Sequence, residues 1–342
     1  MRARGVTYDT GFVVDGVNAL PGFDPDVTAR ELQIIRDDLR CNAVRLTGGD
    51  PARLEIAATR AVDLGLEVWF SPYPLELPGD DVLALFADCA ARAERVRLRG
   101  GEVVFVVGAE LSLMLPGFLP GTTLEERVRQ LVGDPQSLPE RVARVSASVN
   151  EFLVEAVAVV RRHFTGRITY ASIPLERVDW TPFDIVSVDL YRSPEVADRF
   201  AEGVRGLVAQ GKPVAITEFG AATYQGASAD GARGLEIVEN DARGIPVRLK
   251  GEYVRDEEEQ ATCVRELLEI FDSEGVDSAF VFLFALHSHP HRPDGDPRDD
   301  LDLASYGIVK VLENRRGDTY PDMIWEPKLA FRAIAEYAGP RR

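Results

Sequence analysis

The chain has 342 residues, of which 45% are hydrophobic and 28% are charged, so it is long enough for one large α/β fold or two smaller domains. Its 56 acidic residues outnumber the 39 basic ones, which gives a formal net charge of −17. Such a surface repels phosphate backbones and anionic lipid, and this argues against nucleic acid, membranes and acidic polysaccharides as partners.

Short runs rich in β-branched residues alternate with helical stretches along the chain. The candidate strands are GVTYD (5–9), NAVRLT (42–47), LEVWFSP (66–72), EVVFVVGAE (102–110), RITYASI (167–173), DIVSVDLY (184–191), PVAITEF (213–219) and SAFVFLFAL (278–286). Asp24 and Pro25 have the residue types of an N-cap and a first helical position. Further helices are predicted over 147–164, over 254–271, where Asp256 and Glu259 form a capping box, and over 326–339.

About eight strand–helix repeats predict parallel βαβ units closed into a single (β/α)₈ TIM barrel. The chain has no GxGxxG before a first helix and no linker-like break, so we expect one domain over 1–342 rather than a dinucleotide-binding sheet. Three long connections, about 111–145, 220–255 and 287–325, follow strands four, seven and eight. Barrels of this kind build their active sites on that face, so the loops predict a walled cleft.

Several polar residues lie inside the candidate strands, where both faces of a parallel sheet are normally covered by apolar side chains. Strict alternation assigns them to faces as follows: Glu110 with Val106 and Gly108, Glu218 with Val214 and Ile216, Arg45 with Ala43, and Asp189 and Tyr191 with Ser187. If the apolar sets pack under the helices, the polar side chains converge at the top of the barrel.

Two glutamates at strand ends, with an arginine and a tyrosine nearby, have the chemistry that glycoside cleavage needs. Glu110 follows an apolar strand, which raises the pKa of a carboxyl and suits an acid/base. Glu218 suits the nucleophile if Arg45 and Tyr191 orient it, and a carboxyl separation of about 5–5.5 Å would give a retaining mechanism. The alternative interpretation is a salt-bridged pair that only completes the barrel rim.

Other polar and aromatic residues end their strands on the same rim. The candidate substrate-binding residues are Tyr8, Asp9, Trp69, Ser71, Asp189 and His287. Trp69 and Tyr191 could equally be core side chains, and Asp189 could be a buried hydrogen-bond acceptor.

Three of the four histidines, His287, His289 and His291, lie within five residues and precede a run of aspartates. Alternating histidines with carboxylates can ligate zinc, which leaves a metal-dependent hydrolase as one hypothesis. Prolines interrupt the run and no HExxH is present, so we favour a polar loop over the cleft and predict no metal and no cofactor.

The chain resembles the clan A (4/7 superfamily) barrel glycoside hydrolases. GAELS (108–112) and ITEFG (216–220) fall at the ends of strands four and seven, where that clan carries its acid/base and its nucleophile. Arg45 and Tyr191 also match positions that commonly orient the clan's nucleophile. The resemblance therefore implies a barrel hydrolase of an oligosaccharide or small glycoside.

The chain also departs from the clan's pattern. Most members have Asn before the acid/base, where this chain has Ala109, and GAEL is more similar to the Gly-Thr-Glu-Leu pattern of some mannanases. The tryptophan usual late in strand eight is absent from VFLFALHSH. These departures favour a second hypothesis, a non-catalytic or regulatory barrel that binds a carbohydrate or small molecule. The chain is similar, too, to bacterial proteins loosely labelled abortive-infection proteins.

Cysteine usage and the N-terminus bear on location. Cys41, Cys89 and Cys263 are odd in number and far apart, which is typical of a reducing compartment. The first residues contain two arginines but no following apolar stretch, and no segment is apolar enough to span a bilayer. We therefore expect a cytoplasmic protein, and the carboxylate pair with the resemblance above leads us to expect a hydrolase of a neutral, β-linked sugar.

Overall fold

The structure is a computed structural model that describes residues 1–14, 16–133, 136–241 and 244–337. Eight parallel strands form one sheet in the spatial order β5-β4-β3-β2-β1-β8-β7-β6. Their bounds are β1 Ala3–Asp9, β2 Ala43–Gly48, β3 Glu67–Pro72, β4 Val103–Ala109, β5 Arg167–Ala171, β6 Val186–Asp189, β7 Val214–Phe219 and β8 Ser278–Val281. A parallel bridge between Ser172 and Val188 brings β5 beside β6, which nearly closes the (β/α)₈ barrel.

Helices lie between most of the strands. They are α1 Pro25–Asp37, α2 Pro51–Asp63, α3 Gly79–Arg97, α4 Leu111–Met114, α5 Leu124–Val132, α6 Leu138–Arg161, α7 Phe200–Val208, α8 Ala227–Asp230, α9 Glu257–Ser273 and α10 Leu329–Tyr337. The Asp24 side chain accepts the backbone N–H groups of Asp26 and Val27 at the start of α1, and Asp256 caps α9 in the same way. The last two residues of the helix predicted over 326–339 lie outside the described residues.

The predicted strands match the observed ones to within a few residues, with one exception. The eighth strand was expected to reach residue 286 and ends at Val281. Beyond Val281 the backbone still bonds to both neighbours, since Phe282 N donates to Phe219 O at 2.9 Å and Phe284 N donates to Thr7 O at 2.8 Å. The apolar run is therefore buried as predicted, but it leaves the regular ladder.

Small and apolar side chains fill most of the barrel interior. Its buried cluster includes Ala43, Trp69, Val104, Val106, Ala109, Ala171, Ala215 and Phe280. The alternate residues of the same strands, such as Val44, Phe105 and Ile216, belong to the larger core between the sheet and the helices. This two-sided burial explains why the strands read as nearly continuous apolar runs.

The three long loops on the C-terminal face carry structure of their own. The first contains α4 and α5, and the second contains a hairpin of Val238–Asn240 with Pro246–Leu249. The third contains a hairpin of Val309–Val311 with Trp325–Pro327.

A buried ionic network joins the second and third loops. The Arg255 guanidinium contacts Asp302 at 2.9 Å and Asp300 at 3.0 Å. Lys328, whose side chain is fully buried, reaches Asp302 at 2.9 Å and donates to the Thr223 hydroxyl at 2.8 Å. Because removing one partner of a buried pair leaves an uncompensated charge, the network holds the two loops in fixed positions above the barrel.

The connection from β5 to β6 contains only one 3₁₀ turn, Pro174–Glu176, where the barrel architecture normally places a helix. The outer side of β6 is therefore covered incompletely. A groove of about 760 Å³ remains there, with Val188 and Leu190 on its floor and Trp180 and Phe200 on its walls. This groove lies outside the barrel.

No helix among the described residues is long and apolar enough to cross a membrane.

Candidate active site

A buried ion pair lies at the centre of the barrel. Arg45 points inwards from β2, as alternation with Ala43 predicts, and its side chain is fully buried. Its Nη1 donates to Glu218 Oε1 at 2.8 Å and to the Thr217 carbonyl at 3.0 Å. Its Nε donates to the Ser71 hydroxyl at 3.3 Å, so Ser71 holds the guanidinium in place.

Glu218 faces the interior because β7 contains a bulge, and the predicted face was wrong. Val188 pairs with Ile216 but the next residue, Asp189, pairs with Glu218, so Thr217 is an extra residue on β7. Ile216 and Phe219 pack outside the barrel in the core beneath the helices. Strict alternation from Ile216 would have sent Glu218 there as well, and the bulge redirects it.

Glu110 also reaches the site through an irregular backbone rather than through alternation. The register of β4 shifts between Val106 and Ala109, which places both of these side chains in the interior cluster. Gly108 has φ +78°, and a Cβ there would lie 2.8 Å from the Leu111 side chain, so only glycine fits. Glu110 itself has φ 46°, which turns its carboxyl over the barrel mouth. Val106 and Glu110 thus both face the interior, as predicted, whereas the predicted placing of Gly108 on that face was wrong, since a Cβ there would point at Leu111 and Phe86 of the outer core.

A second buried carboxyl fixes the turn after Glu110. Glu176 is fully buried and accepts hydrogen bonds from the Ser112 backbone N–H at 3.0 Å and from the Tyr170 hydroxyl at 2.8 Å. The same Tyr170 oxygen accepts the Leu111 backbone N–H at 2.7 Å. These bonds anchor the first turn of α4 and thereby position Glu110. Sequence analysis missed both Tyr170 and Glu176, because residues that only support a turn through hydrogen bonds form no sequence motif.

Three carboxyls converge at this point. One oxygen from each of Glu110, Asp189 and Glu218 lies within 4.8 Å of the other two. Glu110 is partly exposed, Glu218 is 7% exposed and Asp189 is 3% exposed, so solvent reaches the cluster mainly from the side of Glu110. The structure thus brings together the two glutamates on which the sequence-based hypothesis rests.

The environment separates the two glutamates electrostatically. Burial, followed by the negative charges of Asp189 and Glu218, raises the pKa of Glu110 well above its usual range. Burial also raises the pKa of Glu218, but the Arg45 cation and hydrogen bonds from Arg45 and Tyr191 oppose that shift. The Tyr191 hydroxyl lies 3.4 Å from Glu218 Oε2. Glu110 is therefore the carboxyl more inclined to hold a proton, and Glu218 the one more inclined to be ionised.

The structure does not bring Tyr8 or Trp69 to this cluster. Tyr8 points away from the barrel interior, and its hydroxyl donates to Glu31 Oε2 at 2.6 Å beneath α1. It alternates with the inward residues of β1 and lies on the face of Val6, so the prediction of a substrate contact does not hold. Trp69 is fully buried inside the barrel, where it packs on Phe280 at 4.8 Å between ring centroids.

Asp9 and His287, the remaining predicted binding residues, lie at or beyond the ends of their strands. Asp9 ends β1 and accepts the Gly11 backbone N–H at 2.7 Å, and burial raises the pKa of Asp9 to about 6. Burial lowers the pKa of His287 to about 4, so its imidazole is neutral near neutral pH. No described contact joins either residue to Glu110 or Glu218.

The histidine cluster does not form a metal site in the described part of the chain. His291 Nδ1 lies 3.0 Å from Asp300 and from Arg255 Nη2, within the ionic network of the loops. His289 Nδ1 instead contacts the Ser288 hydroxyl at 2.9 Å. Among the described residues, the one group with converging ligand atoms is the three carboxyls, which includes no histidine. The metal-dependent hypothesis thus gains no geometric support.

Tyr73 is a further residue of the site that the sequence analysis did not identify. It follows β3, is 8% exposed, and its pKa is raised well above the usual range by burial and then by the charges of Glu110 and Glu218. Tyr73 also packs edge-on against Phe12 and lines a cavity of about 260 Å³ beside Gly49. It therefore connects the carboxyl cluster to an open space.

No family model matches the chain, and no curated protein sequence matches it significantly. Solved structures do resemble it in fold. A β-glucuronidase of Parabacteroides merdae, with glycerol in its active site, matches all of this chain with a TM-score of 0.58 and 13% identity. The chain spans 37% of that protein's length.

Cel5A of Thermotoga maritima is a second structural neighbour. In complex with mannotriose as substrate it matches 88% of this chain and 97% of its own length, with a TM-score of 0.50 and 15% identity. A mutant form with cellobiose gives a TM-score of 0.51 and 14% identity, over 89% of this chain and 96% of its own. At these identities the likeness is one of fold.

Replacing Glu110 with Gln should stabilise the protein at about pH 8 and have little effect at about pH 4. A carboxyl with a raised pKa binds its proton more tightly in the folded state than in the unfolded chain, where the pKa is about 4.3. That stabilisation is complete below the unfolded pKa and is lost as the pH rises through the folded pKa. Urea unfolding of both proteins across this range measures the difference, with Glu151→Gln on the exposed face of α6 as the control. Equal effects at both pH values would contradict the raised pKa.

Proposed function

We propose that this protein is a retaining glycoside hydrolase that acts on a neutral, β-linked sugar. Glu218 is the nucleophile, Glu110 is the acid/base, and Arg45 and Tyr191 orient Glu218. The observation that carries the proposal is the approach of the Glu110 and Glu218 carboxyls to within 4.8 Å beside a buried guanidinium.

The spacing favours retention over inversion. Retaining enzymes hold their two carboxyls about 5–5.5 Å apart, whereas inverting enzymes leave about 6.5–9.5 Å for a water molecule. One oxygen of each carboxyl lies within 4.8 Å of the other here, which is closer to the retaining spacing than to the inverting one. The ion pair with Arg45 also supports a retaining mechanism, because it favours an ionised Glu218 and a nucleophile must be ionised to attack.

In the first step, an oxygen of Glu218 attacks the anomeric carbon and forms an ester bond to the sugar. The glycosidic C–O bond breaks, and the departing oxygen takes the proton of Glu110. Burial and the neighbouring anions keep that proton on Glu110 in the free enzyme.

In the second step, water attacks the anomeric carbon while Glu110, now ionised, takes a proton from it. The ester bond breaks, Glu218 regains its negative charge, and Glu110 regains its proton. Two displacements at the same carbon give net retention of configuration.

The charges of the site bear on the class of sugar. Three carboxyls surround the reacting position, and the guanidinium of Arg45 is already engaged by Glu218. An anionic sugar such as a uronate would meet repulsion from these carboxyls, and the cation described beside them is already paired. The likenesses to Cel5A and to the β-glucuronidase are both likenesses of fold, so the proposed class of sugar rests on the charges of the site.

We further infer that the protein is a single barrel domain that works in the cytoplasm. Its cysteines, Cys41, Cys89 and Cys263, are all buried free thiols, which is consistent with a reducing compartment.

Glu218→Gln should reduce turnover of an activated aryl β-glycoside by about 1,000-fold or more, because a neutral amide cannot attack the anomeric carbon as a carboxylate does. Azide should partly restore product formation in Glu218→Ala, as an inverted glycosyl azide, because it fills the space of the carboxylate. Release of the aryl group measures both effects, and NMR of the products shows the configuration.

The matched control is Glu202→Gln on the exposed face of α7, which should leave turnover unchanged. Full activity in Glu218→Gln would rule out the assigned nucleophile. A wild-type protein that binds sugars but hydrolyses none of a broad panel would instead identify a non-catalytic binding barrel.

Substrate charge gives a separate prediction. The kcat/KM for an aryl β-glucoside or β-mannoside should exceed that for the matching β-glucuronide by about tenfold or more, because an added anion faces uncompensated carboxylates. Raising the salt concentration should narrow the gap only slightly, since buried charges are poorly screened. A preference for the glucuronide would contradict the neutral-sugar assignment.

A further inference from the structure

Asp189 is a buried carboxyl that the proposed chemistry does not yet use. Its side chain is fully buried, and neither of its oxygens has a hydrogen-bond partner among the described residues. Buried carboxyls are almost always hydrogen-bonded, because leaving the group unsatisfied in a dry interior is costly. An unsatisfied carboxyl beside a reacting pair therefore calls for a functional explanation.

The group opposite Asp189 is unsatisfied as well. Arg45 Nη1 lies 3.9 Å from Asp189 Oδ1, which is too long for a hydrogen bond, and no residue that the structure describes accepts a hydrogen bond from Arg45 Nη2. Donors and acceptors of opposite charge thus lie just beyond bonding distance. A shift of about 1 Å would join them.

Formation of the covalent intermediate gives a reason for this arrangement, which rests on the function proposed above. When Glu218 becomes an ester its negative charge is gone, and the charge that appears on Glu110 lies at the partly exposed mouth of the site. The fully buried Arg45 then loses its counter-ion, and an unpaired buried cation is strongly unfavourable.

We propose that Asp189 is a positioning residue that serves as the alternate counter-ion of Arg45. In the free enzyme Arg45 bonds to Glu218, and in the glycosyl-enzyme it moves its donors to Asp189. Hydrolysis of the ester restores the charge of Glu218 and returns Arg45 to it. No covalent bond is made or broken at Asp189.

The negative charge of Asp189 also acts on Glu110. After burial, it is the largest contribution to the raised pKa of Glu110, ahead of Glu218 and Glu176. Burial and the charges of Glu218 and Glu176 raise the pKa of Asp189 well above its usual range, while the Arg45 cation and the nearby Thr217 hydroxyl favour the ionised form. Other titratable groups that face this cluster are the hydroxyls of Tyr73 and Tyr191.

The test is Asp189→Asn, which keeps the shape and removes the charge. Formation of the ester, read as the first release of a dinitrophenyl group, should slow by about tenfold or more because the ester leaves Arg45 unpaired, while hydrolysis of the ester, which restores the charge of Glu218, should not slow. The kcat/KM should therefore fall, without a burst of dinitrophenol. The alkaline limb of the kcat/KM profile should move to lower pH. A burst of dinitrophenol, or a loss of rate with an unshifted limb, would overturn the proposal.

A second variant guards against a purely structural effect. In Asp189→Ala, formate should restore the first release of the dinitrophenyl group by supplying a carboxylate to Arg45, whereas neutral formamide should not. Equal rescue by both, or by neither, would overturn the assignment. Asp198→Asn, an exposed change before α7, is the matched control and should behave as wild type.

A measurement without turnover separates this proposal from the function on which it rests. In protein labelled with ¹³C at the Glu carboxyls, the Glu110 signal, identified by its loss in Glu110→Gln, should titrate at lower pH in Asp189→Asn. If that shift occurs but the wild type cleaves no glycoside, the charge coupling stands and the proposed function fails. An unchanged Glu110 titration in an active enzyme would refute the role of Asp189 alone.

Discussion

The ion pair between Arg45 and Glu218 is the constraint on which the rest of the site depends. A guanidinium with no exposed surface inside a barrel of alanines, valines and aromatic rings would be prohibitively costly alone. Its bonds to Glu218, the Thr217 carbonyl and Ser71 make it tolerable and fix its position. The same cation favours an ionised Glu218, while Glu110 lies where burial and anions favour its proton. One buried charge thereby divides the roles of two chemically identical side chains.

Irregular backbone in β4 and β7 brings Glu110 and Glu218 together. A regular β7 would point Glu218 into the outer core, and a regular β4 would not turn Glu110 over the barrel mouth. The bulge at Thr217 and the positive φ angles of Gly108 and Glu110 are local irregularities that a stability-optimised barrel would avoid. The hydrogen bonds from the backbone of α4 to Tyr170 and Glu176 hold this turn in place. Bulges and positive φ angles are common where a functional side chain must point away from the direction that a regular strand gives it. Their position beside Glu110 and Glu218 therefore agrees with the site that the carboxyls and Arg45 define.

The sequence could predict the strand order and the carboxyl pair because both follow from local patterns. Eight apolar runs separated by helical stretches favour a barrel, and a charged residue ending such a run stands out. Alternation correctly placed Arg45 inside, but it failed for Glu218 because a bulge of one residue leaves no trace in the pattern. Tyr73 was missed because it follows its strand in a proline-rich turn, where the alternation of inward and outward side chains no longer predicts a direction. Residue type predicts a sugar contact for Tyr8, and for Trp69 either a sugar contact or packing; tertiary packing places both in the core.

The most direct measurement is to trap the intermediate with a 2-deoxy-2-fluoro β-glycoside carrying a dinitrophenyl leaving group. Slow turnover of such a compound accumulates the glycosyl ester, and mass spectrometry of a proteolytic digest locates the added sugar. The ion pair predicts one sugar per chain, attached to Glu218 in the peptide that contains ITEFG, and no attachment in Glu218→Gln. Attachment to Glu110, or none in a protein that releases dinitrophenol in steady turnover, would contradict a nucleophile set by Arg45.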